Sequence, residues 1–185
     1  PLSACPTCGG AVKRLIGGGT GIIFFTLATV VAGIGRLEDD LTRALCWGAT
    51  WDMCRDAELA AADYVTLVLS GAGIEADLTA VQAVLGQART AIDFYAPREA
   101  RNALNDRFVT GLAHLLKAAV PGSDHQLAFA RALALAADSD AVADLLRAWL
   151  AGTEAPDGLA IDTDLRWHIV TNLARLGAIG TAEID

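Results

Sequence analysis

Residues 112–126 read Leu-Ala-His-Leu-Leu-Lys-Ala-Ala-Val-Pro-Gly-Ser-Asp-His-Gln. The apolar residues of the first nine positions recur at intervals of three and four, which indicates one apolar stripe along an α-helix. Pro121-Gly122 ends that helix. Ser123, followed three positions later by Gln126, has the capping-box pattern that begins another helix. The stretch therefore predicts two helices joined by a short turn.

From Leu37 onward the rest of the chain has the same kind of pattern, with almost no strand-like alternation. Two further apolar stripes are formed by Leu41, Ala44, Leu45 and Gly48, and by Val142, Leu145, Leu146, Trp149 and Leu150. Helix starts are marked at Ser139-Asp140 and at Asp162-Thr163-Asp164. We therefore predict an all-α fold of seven helices, at 37–54, 60–71, 77–95, 97–120, 124–137, 140–152 and 163–177.

The links between these helices are short, which favours antiparallel neighbours. Helix pairs whose apolar faces carry leucine and small residues favour HEAT-like stacking into an α-solenoid. The sequence has no strict repeat period, so this stacking is a hypothesis about packing rather than a consequence of a repeat.

Composition narrows the classes of function. Hydrophobic residues make up 54% of the 185 residues, and the mean hydropathy is +0.40, which excludes a disordered chain. The net charge of −8 makes nucleic acid an unfavourable partner. The four cysteines occur in two clusters and none follows Cys54, so a reducing cytoplasm fits better than a disulfide-stapled secreted domain.

Residues 15–35 carry no charge and are about as long as a membrane-spanning helix. Six glycines and three threonines in this stretch lower its hydrophobicity and helix propensity, so we favour a buried segment or a leader. A membrane-anchored protein, with Lys13-Arg14 on the cytoplasmic side, remains the less favoured alternative.

Two motifs near the amino end suggest ligand binding only weakly. Cys5 and Cys8 have the spacing of one half of a zinc site, but Cys46 and Cys54 are eight residues apart in a predicted helix, the wrong spacing for the other half. Gly17–Gly21 lacks the ending of a phosphate-binding loop, and we expect no strand before it. It is interpreted as a flexible joint.

The residues that commonly carry catalysis do not form a known pattern. His114, His125 and His168 lie on different predicted helices, with no H-E-x-x-H spacing, and a packing or surface role is the default. No G-x-S-x-G motif is present. The acidic pairs Asp39-Asp40 and Asp162/Asp164 are interpreted as helix-start charges. The four tryptophans are predicted to belong to the core: Trp47, Trp51, Trp149 and Trp167.

Three stretches of the sequence carry a family resemblance: Leu37–Met53 with Arg55–Leu59, then Gly122–Arg131, then Gly158–Trp167. Together they resemble the carboxy-terminal helical domain of actinobacterial aminopeptidase N, a zinc metallo-aminopeptidase of the gluzincin group. The likeness runs from about Leu27 to the end. It divides the chain into a helical domain at 27–185 and an atypical cysteine- and glycine-rich leader at 1–26, which can be disordered.

In that family the domain is a HEAT-like superhelix that closes over a catalytic chamber. The chemistry belongs to another domain, whose H-E-x-x-H and G-x-M-E-N motifs have no counterpart here. The resemblance implies a cap domain that has no catalytic residue or cofactor of its own, whereas Zn²⁺ belongs to the parent enzyme. The implied partners are a catalytic domain and its peptide substrate.

Two readings of function therefore stay open. The first is a cap domain, inactive alone, in which Arg55, Arg131 or Arg166 contacts a peptide carboxylate, although each arginine can equally pair with a nearby aspartate. The second is a stand-alone helical-repeat module that binds peptides or proteins.

Overall fold

The computed structural model describes residues 3–4, 11–14, 24–26 and 34–180. Before Ile34, three short strands form an antiparallel sheet in the order β1-β2-β3: Ser3–Ala4 (β1), Ala11–Arg14 (β2) and Phe24–Thr26 (β3). Val12 of the central strand lies opposite both Ser3 and Thr26. The expectation that no strand precedes Gly17–Gly21 was wrong, because strands of two to four residues are too short to show a detectable alternation.

Within residues 34–180 the chain is helical, as predicted. The seven α-helices are Asp40–Arg55 (α1), Ala61–Gly71 (α2), Leu78–Thr90 (α3), Arg101–Ala118 (α4), Asp124–Ala136 (α5), Asp140–Leu150 (α6) and Thr163–Arg175 (α7). The helix predicted at 77–95 is α-helical only as far as Thr90, and Ala91–Tyr95 continues it as a π-helical turn. Two 3₁₀ turns, Ile34–Arg36 and Arg98–Ala100, precede α1 and α4.

Three of the predicted helix starts have the expected local chemistry, whereas Ser139 at the start of α6 makes no side-chain cap hydrogen bond. Asp39 accepts a hydrogen bond from the Thr42 amide at the start of α1, and Asp162 accepts one from the Leu165 amide at the start of α7. The Ser123 side chain accepts from the Gln126 amide. These bonds satisfy amide groups that have no partner inside the helix, so the caps fix where the helices begin.

Gln126 also ties two loops together. Its side-chain Oε1 accepts from the Gly122 amide at 2.8 Å, and its Nε2 donates to the Asp157 carbonyl at 3.0 Å. The reciprocal bond of the predicted capping box therefore goes to Gly122 rather than to the cap residue itself. Gln126 is 3% exposed, so this link between α5 and the loop before α7 lies in the interior.

Helices pack both on their sequence neighbours and on alternate helices. Among the odd-numbered helices, α3 lies between α1 and α5, and α5 lies between α3 and α7. Among the even-numbered helices, α2 packs against α4. Among the neighbours, α4 packs closely on α5 and α6 packs on α7. The core between them contains the large, fully buried side chains of Tyr64, Phe108, Phe129, Leu146, Trp149 and Ile169.

The sequence misassigned two faces. The stripe predicted to bury α1 is exposed, with Leu41 at 69% and Leu45 at 56%, whereas Cys46, Trp47, Thr50 and Cys54 form the buried side. Helix α1 is apolar on two faces, and periodicity alone does not distinguish them. Trp167 is 53% exposed on α7, so its assignment to the core was also wrong.

In the part of the chain that the structure describes, no helix is both long and apolar enough to cross a membrane. Most of the uncharged stretch 15–35 lies outside the described residues. Residues 24–26 within it form strand β3 rather than helix.

Candidate functional site

The three arginines singled out in the sequence lie on α1, α5 and α7. Arg55 ends α1, where its Nη1 is 3.4 Å from Asp52 Oδ1 and its side chain is 54% exposed. Arg131 of α5 forms an ion pair with Asp164 of α7. Arg166 of α7 donates to the Leu150 carbonyl at 3.5 Å. Because α5 packs on α7, the structure brings Arg131 and Arg166 to neighbouring helices, whereas Arg55 is on another part of the surface.

A cavity of about 300 Å³ opens beside Arg131, between α3, α5 and α7. Its apolar lining includes Leu85, Phe108 and Leu135, and its polar lining includes Arg89, Arg131 and His168. His168 Nε2 is 3.0 Å from the Arg131 carbonyl. A carbonyl only accepts, so this ring nitrogen carries the proton and helps to fix α7 against α5.

Arg89 is the second cation of this cavity and the centre of a polar network. Its guanidinium bonds to both carboxylate oxygens of Asp93, four residues further on, and to the side-chain carbonyl of Asn105 on α4. Asn105 is 2% exposed and donates in turn to the Ala136 carbonyl at 3.0 Å. The network therefore joins α3, α4 and the end of α5 in the interior.

This arrangement suits a ligand that is partly apolar and partly anionic, because guanidinium groups lie beside apolar walls. Both guanidiniums already pair with an aspartate, so an incoming carboxylate has to displace Asp93 or Asp164. Asp164 is the easier partner to displace, since its side chain is 75% exposed against 36% for Asp93. Arg131 is therefore the better candidate of the two.

Sequence reasoning identified Arg131 but missed Arg89 and Asn105. The spacing of Arg89 and Asp93 is a signal for a helix-surface ion pair, which fits their observed pairing. Nothing in the sequence indicates that Asn105, far along the chain, completes the network.

A second buried polar cluster surrounds Glu75, which is 6% exposed in the loop between α2 and α3. Its carboxylate accepts from Arg43 Nε at 3.2 Å and from Trp47 Nε1 at 3.1 Å, both on α1. Its backbone carbonyl accepts from His125 Nε2 of α5 at 2.9 Å. Glu75 therefore joins its own loop to α1 and α5. His125 and His168 each bond to a backbone carbonyl of another element, so both histidines have packing roles.

The carboxylate of Glu75 is stabilised in its charged form. Burial raises the pKa of this group, but hydrogen bonds from Arg43, Trp47 and a backbone amide outweigh burial, so its pKa lies below the ordinary value. A carboxyl with a lowered pKa stabilises the folded state above its unfolded pKa of about 4.3, and this contribution disappears as pH falls through the lower folded value.

We therefore expect the free energy of unfolding to fall more steeply between pH 5 and pH 3 in the wild type than in Glu75→Gln. The amide keeps an acceptor for Trp47 but cannot titrate. Urea unfolding at half-unit pH steps measures both curves. Equal pH slopes in the two proteins would contradict the role given to the Glu75 carboxylate.

The next question is whether the side chains present can hold a metal ion. No three His, Cys, Asp or Glu residues lie together as a metal site within the described ranges. Cys5 and Cys8 lie outside those ranges. Cys46 and Cys54 are buried free thiols on α1, and burial raises the pKa of each, which disfavours the thiolate that a metal requires. These residues do not fit the zinc centre of an aminopeptidase.

Residues 34–180 thus define an all-α domain with an apolar cavity edged by two arginines. Residues 26–185 match the ERAP1-like C-terminal domain family, and the chain belongs to that family. It is also 50% identical to aminopeptidase N of Streptomyces lividans over 159 residues, which are 86% of this chain and 19% of that protein. The recognition of an aminopeptidase N C-terminal helical domain is confirmed, and the chain spans about a fifth of the relative's length.

Proposed function

We propose that this chain acts as a helical cap that associates with the catalytic domain of a zinc aminopeptidase and closes over the chamber in which peptides are trimmed. The observation that carries the proposal is the 50% identity to aminopeptidase N over 159 residues, 86% of this chain. The zinc and its ligands belong to the catalytic partner, and peptide is the substrate of the complex.

The helix packing supports a cap of the stacked type. Contacts of α3 with α1 and α5, and of α5 with α3 and α7, are those that successive helix pairs make in a HEAT-like array. Such arrays present one layer of helices as an extended surface, which suits closure over a chamber. The two free thiols of α1 fit a reducing cytoplasm as the place of action.

Within the cap, Arg131 is the proposed contact for a peptide carboxylate. It lines the cavity, its side chain is 35% exposed, and its aspartate partner is exposed enough to be displaced. Arg55 and Arg166 are weaker candidates, because neither lines this cavity.

The test is complementation. The full chain is added to the Streptomyces lividans aminopeptidase N from which the matched segment has been removed, and hydrolysis of a leucyl chromogenic amide and of a longer peptide is followed. We expect the chain alone to be inactive and the mixture to regain chelator-sensitive activity. Arg131→Ala should weaken peptide trimming at least about tenfold through KM, and Arg55→Ala should leave it unchanged.

Two results would oppose this proposal. Chelator-sensitive hydrolysis by the purified chain alone would show a catalytic centre of its own. Failure of the mixture to regain activity, together with tight binding of unrelated peptides by the chain alone, would favour the stand-alone binding module, for which the cavity beside Arg131 offers a place.

A further inference from the structure

The outer face of α1, defined by Leu41, Ala44, Leu45 and Gly48, is apolar and exposed. Leu41 is 69% exposed and Leu45 56%, and the other two residues are exposed as well. The four positions are spaced by three and four, so they form one continuous stripe on the side of the helix opposite its buried residues. Apolar side chains that are exposed together on one face are typical of interaction surfaces.

The two ends of the helix layer differ in the composition of their exposed faces. Among the helices of residues 34–180, α1 and α7 are the terminal members of the series α1, α3, α5, α7. The exposed positions of α7 are mostly polar or charged, including Asp164, Arg166 and Arg175, as expected of a terminal element that faces water. The outer face of α1 has instead the leucine and small-residue composition of an internal contact.

Gly48 adds a steric argument. A Cβ built at Gly48 would meet no atom of the described residues within 4 Å, whereas Cβ atoms at Gly71 and Gly111 would come within 2.7 Å and 2.5 Å of neighbouring side chains. Those two glycines therefore allow close packing inside the domain. A glycine in the middle of a helix lowers its stability, and the described contacts give no reason for one at Gly48. The open space at Gly48, like that at Gly86 of α3, leaves room for the close approach of another backbone.

We propose that the outer face of α1 docks an amphipathic helix with a stripe of leucine- and alanine-sized side chains, contributed by the part of an aminopeptidase N-like protein that this chain does not cover. The inference rests on the proposed function and names the surface through which the cap attaches. The relative is about five times as long as the matched segment, so it has chain available to supply such a helix. Glu38, exposed near the start of the stripe, favours a basic residue at that edge of the partner helix.

The experiment measures binding separately from activity. Isothermal titration of the full chain with the truncated Streptomyces lividans aminopeptidase N gives the Kd for the wild type and for Leu41→Glu/Leu45→Glu, Gly48→Leu and Val120→Glu. We expect the double variant and Gly48→Leu to weaken binding at least about 100-fold. Val120 is 72% exposed and lies outside α1, so its charged variant is the matched control and should bind within about twofold of the wild type.

Gly48→Leu distinguishes close helix packing from nonspecific hydrophobic association. The substitution adds apolar surface and helix propensity, but it fills the space that the partner helix needs. Its thermal midpoint should equal or exceed that of the wild type. Wild-type affinity in both α1 variants would overturn the inference, and so would a wild-type homodimer that these variants dissociate. If the α1 variants weaken binding but the wild-type mixture does not regain hydrolysis, the cap function alone is refuted. If the mixture regains hydrolysis equally well with the α1 variants, the docking surface alone is refuted.

Discussion

Replacing Trp149 with alanine is expected to lower the free energy of unfolding by about 4 kcal/mol. Trp149 is 1% exposed on α6 and borders a cavity of about 480 Å³ with Leu116, Leu133 and Leu145. Removing the indole enlarges a space that is already imperfectly filled and takes away one of the largest side chains of the core. Urea unfolding followed by circular dichroism measures the loss.

Two other variants make this result specific. Trp167→Ala makes the same change at a side chain that is 53% exposed and should shift stability by no more than about 0.5 kcal/mol. Trp149→Phe should cost less than about 1.5 kcal/mol. Within the described residues the buried indole nitrogen of Trp149 has no hydrogen-bond partner, so little hydrogen bonding is lost. A loss below about 1 kcal/mol for Trp149→Ala would contradict its assignment as a core anchor.

Replacing Gly158 with alanine is expected to lower the free energy of unfolding by about 3 kcal/mol, the sum of a left-handed backbone penalty and a steric clash. Gly158 has a φ of +79°, and a Cβ there would lie 2.6 Å from the Gly122 nitrogen and 2.8 Å from the Pro121 carbonyl carbon. Backbone atoms cannot move aside as a flexible side chain can, so the two loops must separate. The same loops are joined by Gln126, whose bonds to both weaken as they part.

Gly152→Ala is the matched control for this prediction. Gly152 has a similar φ of +76°, but a Cβ there would meet nothing within 4 Å. It should therefore show only the backbone penalty, about 1 kcal/mol. Equal losses for the two variants, measured as shifts of the urea midpoint, would show that the close approach of the loops at Gly158 contributes no stability.

The sequence was sufficient for the helices because their signals are local. A cap such as Ser123 or Asp162 bonds to an amide three residues away, and the turn at Pro121-Gly122 stops a helix wherever it occurs. Family membership was also accessible, since the resemblance rests on continuous strings such as Gly122–Arg131. The short strands before Ile34 were not predicted, because too few residues define each one.

The sequence predicted the polar clusters only in part. Arg131 was identified as a candidate, but its partner Asp164 lies 33 positions further along the chain. Glu75 meets Arg43 from 32 positions away. Such pairs form only because separate helices pack together, and no periodicity within one helix encodes which partner a charge will meet.

The chain by itself determined that residues 37–177 form helices, roughly where each begins and ends, and to which family they belong, because hydrogen bonding within a helix depends on residues three and four apart. Only the tertiary structure decided that α1 turns Cys46 and Trp47 inward and leaves Leu41 and Leu45 exposed. Both faces are apolar, and the choice between them depends on which one fits the side chains of neighbouring helices.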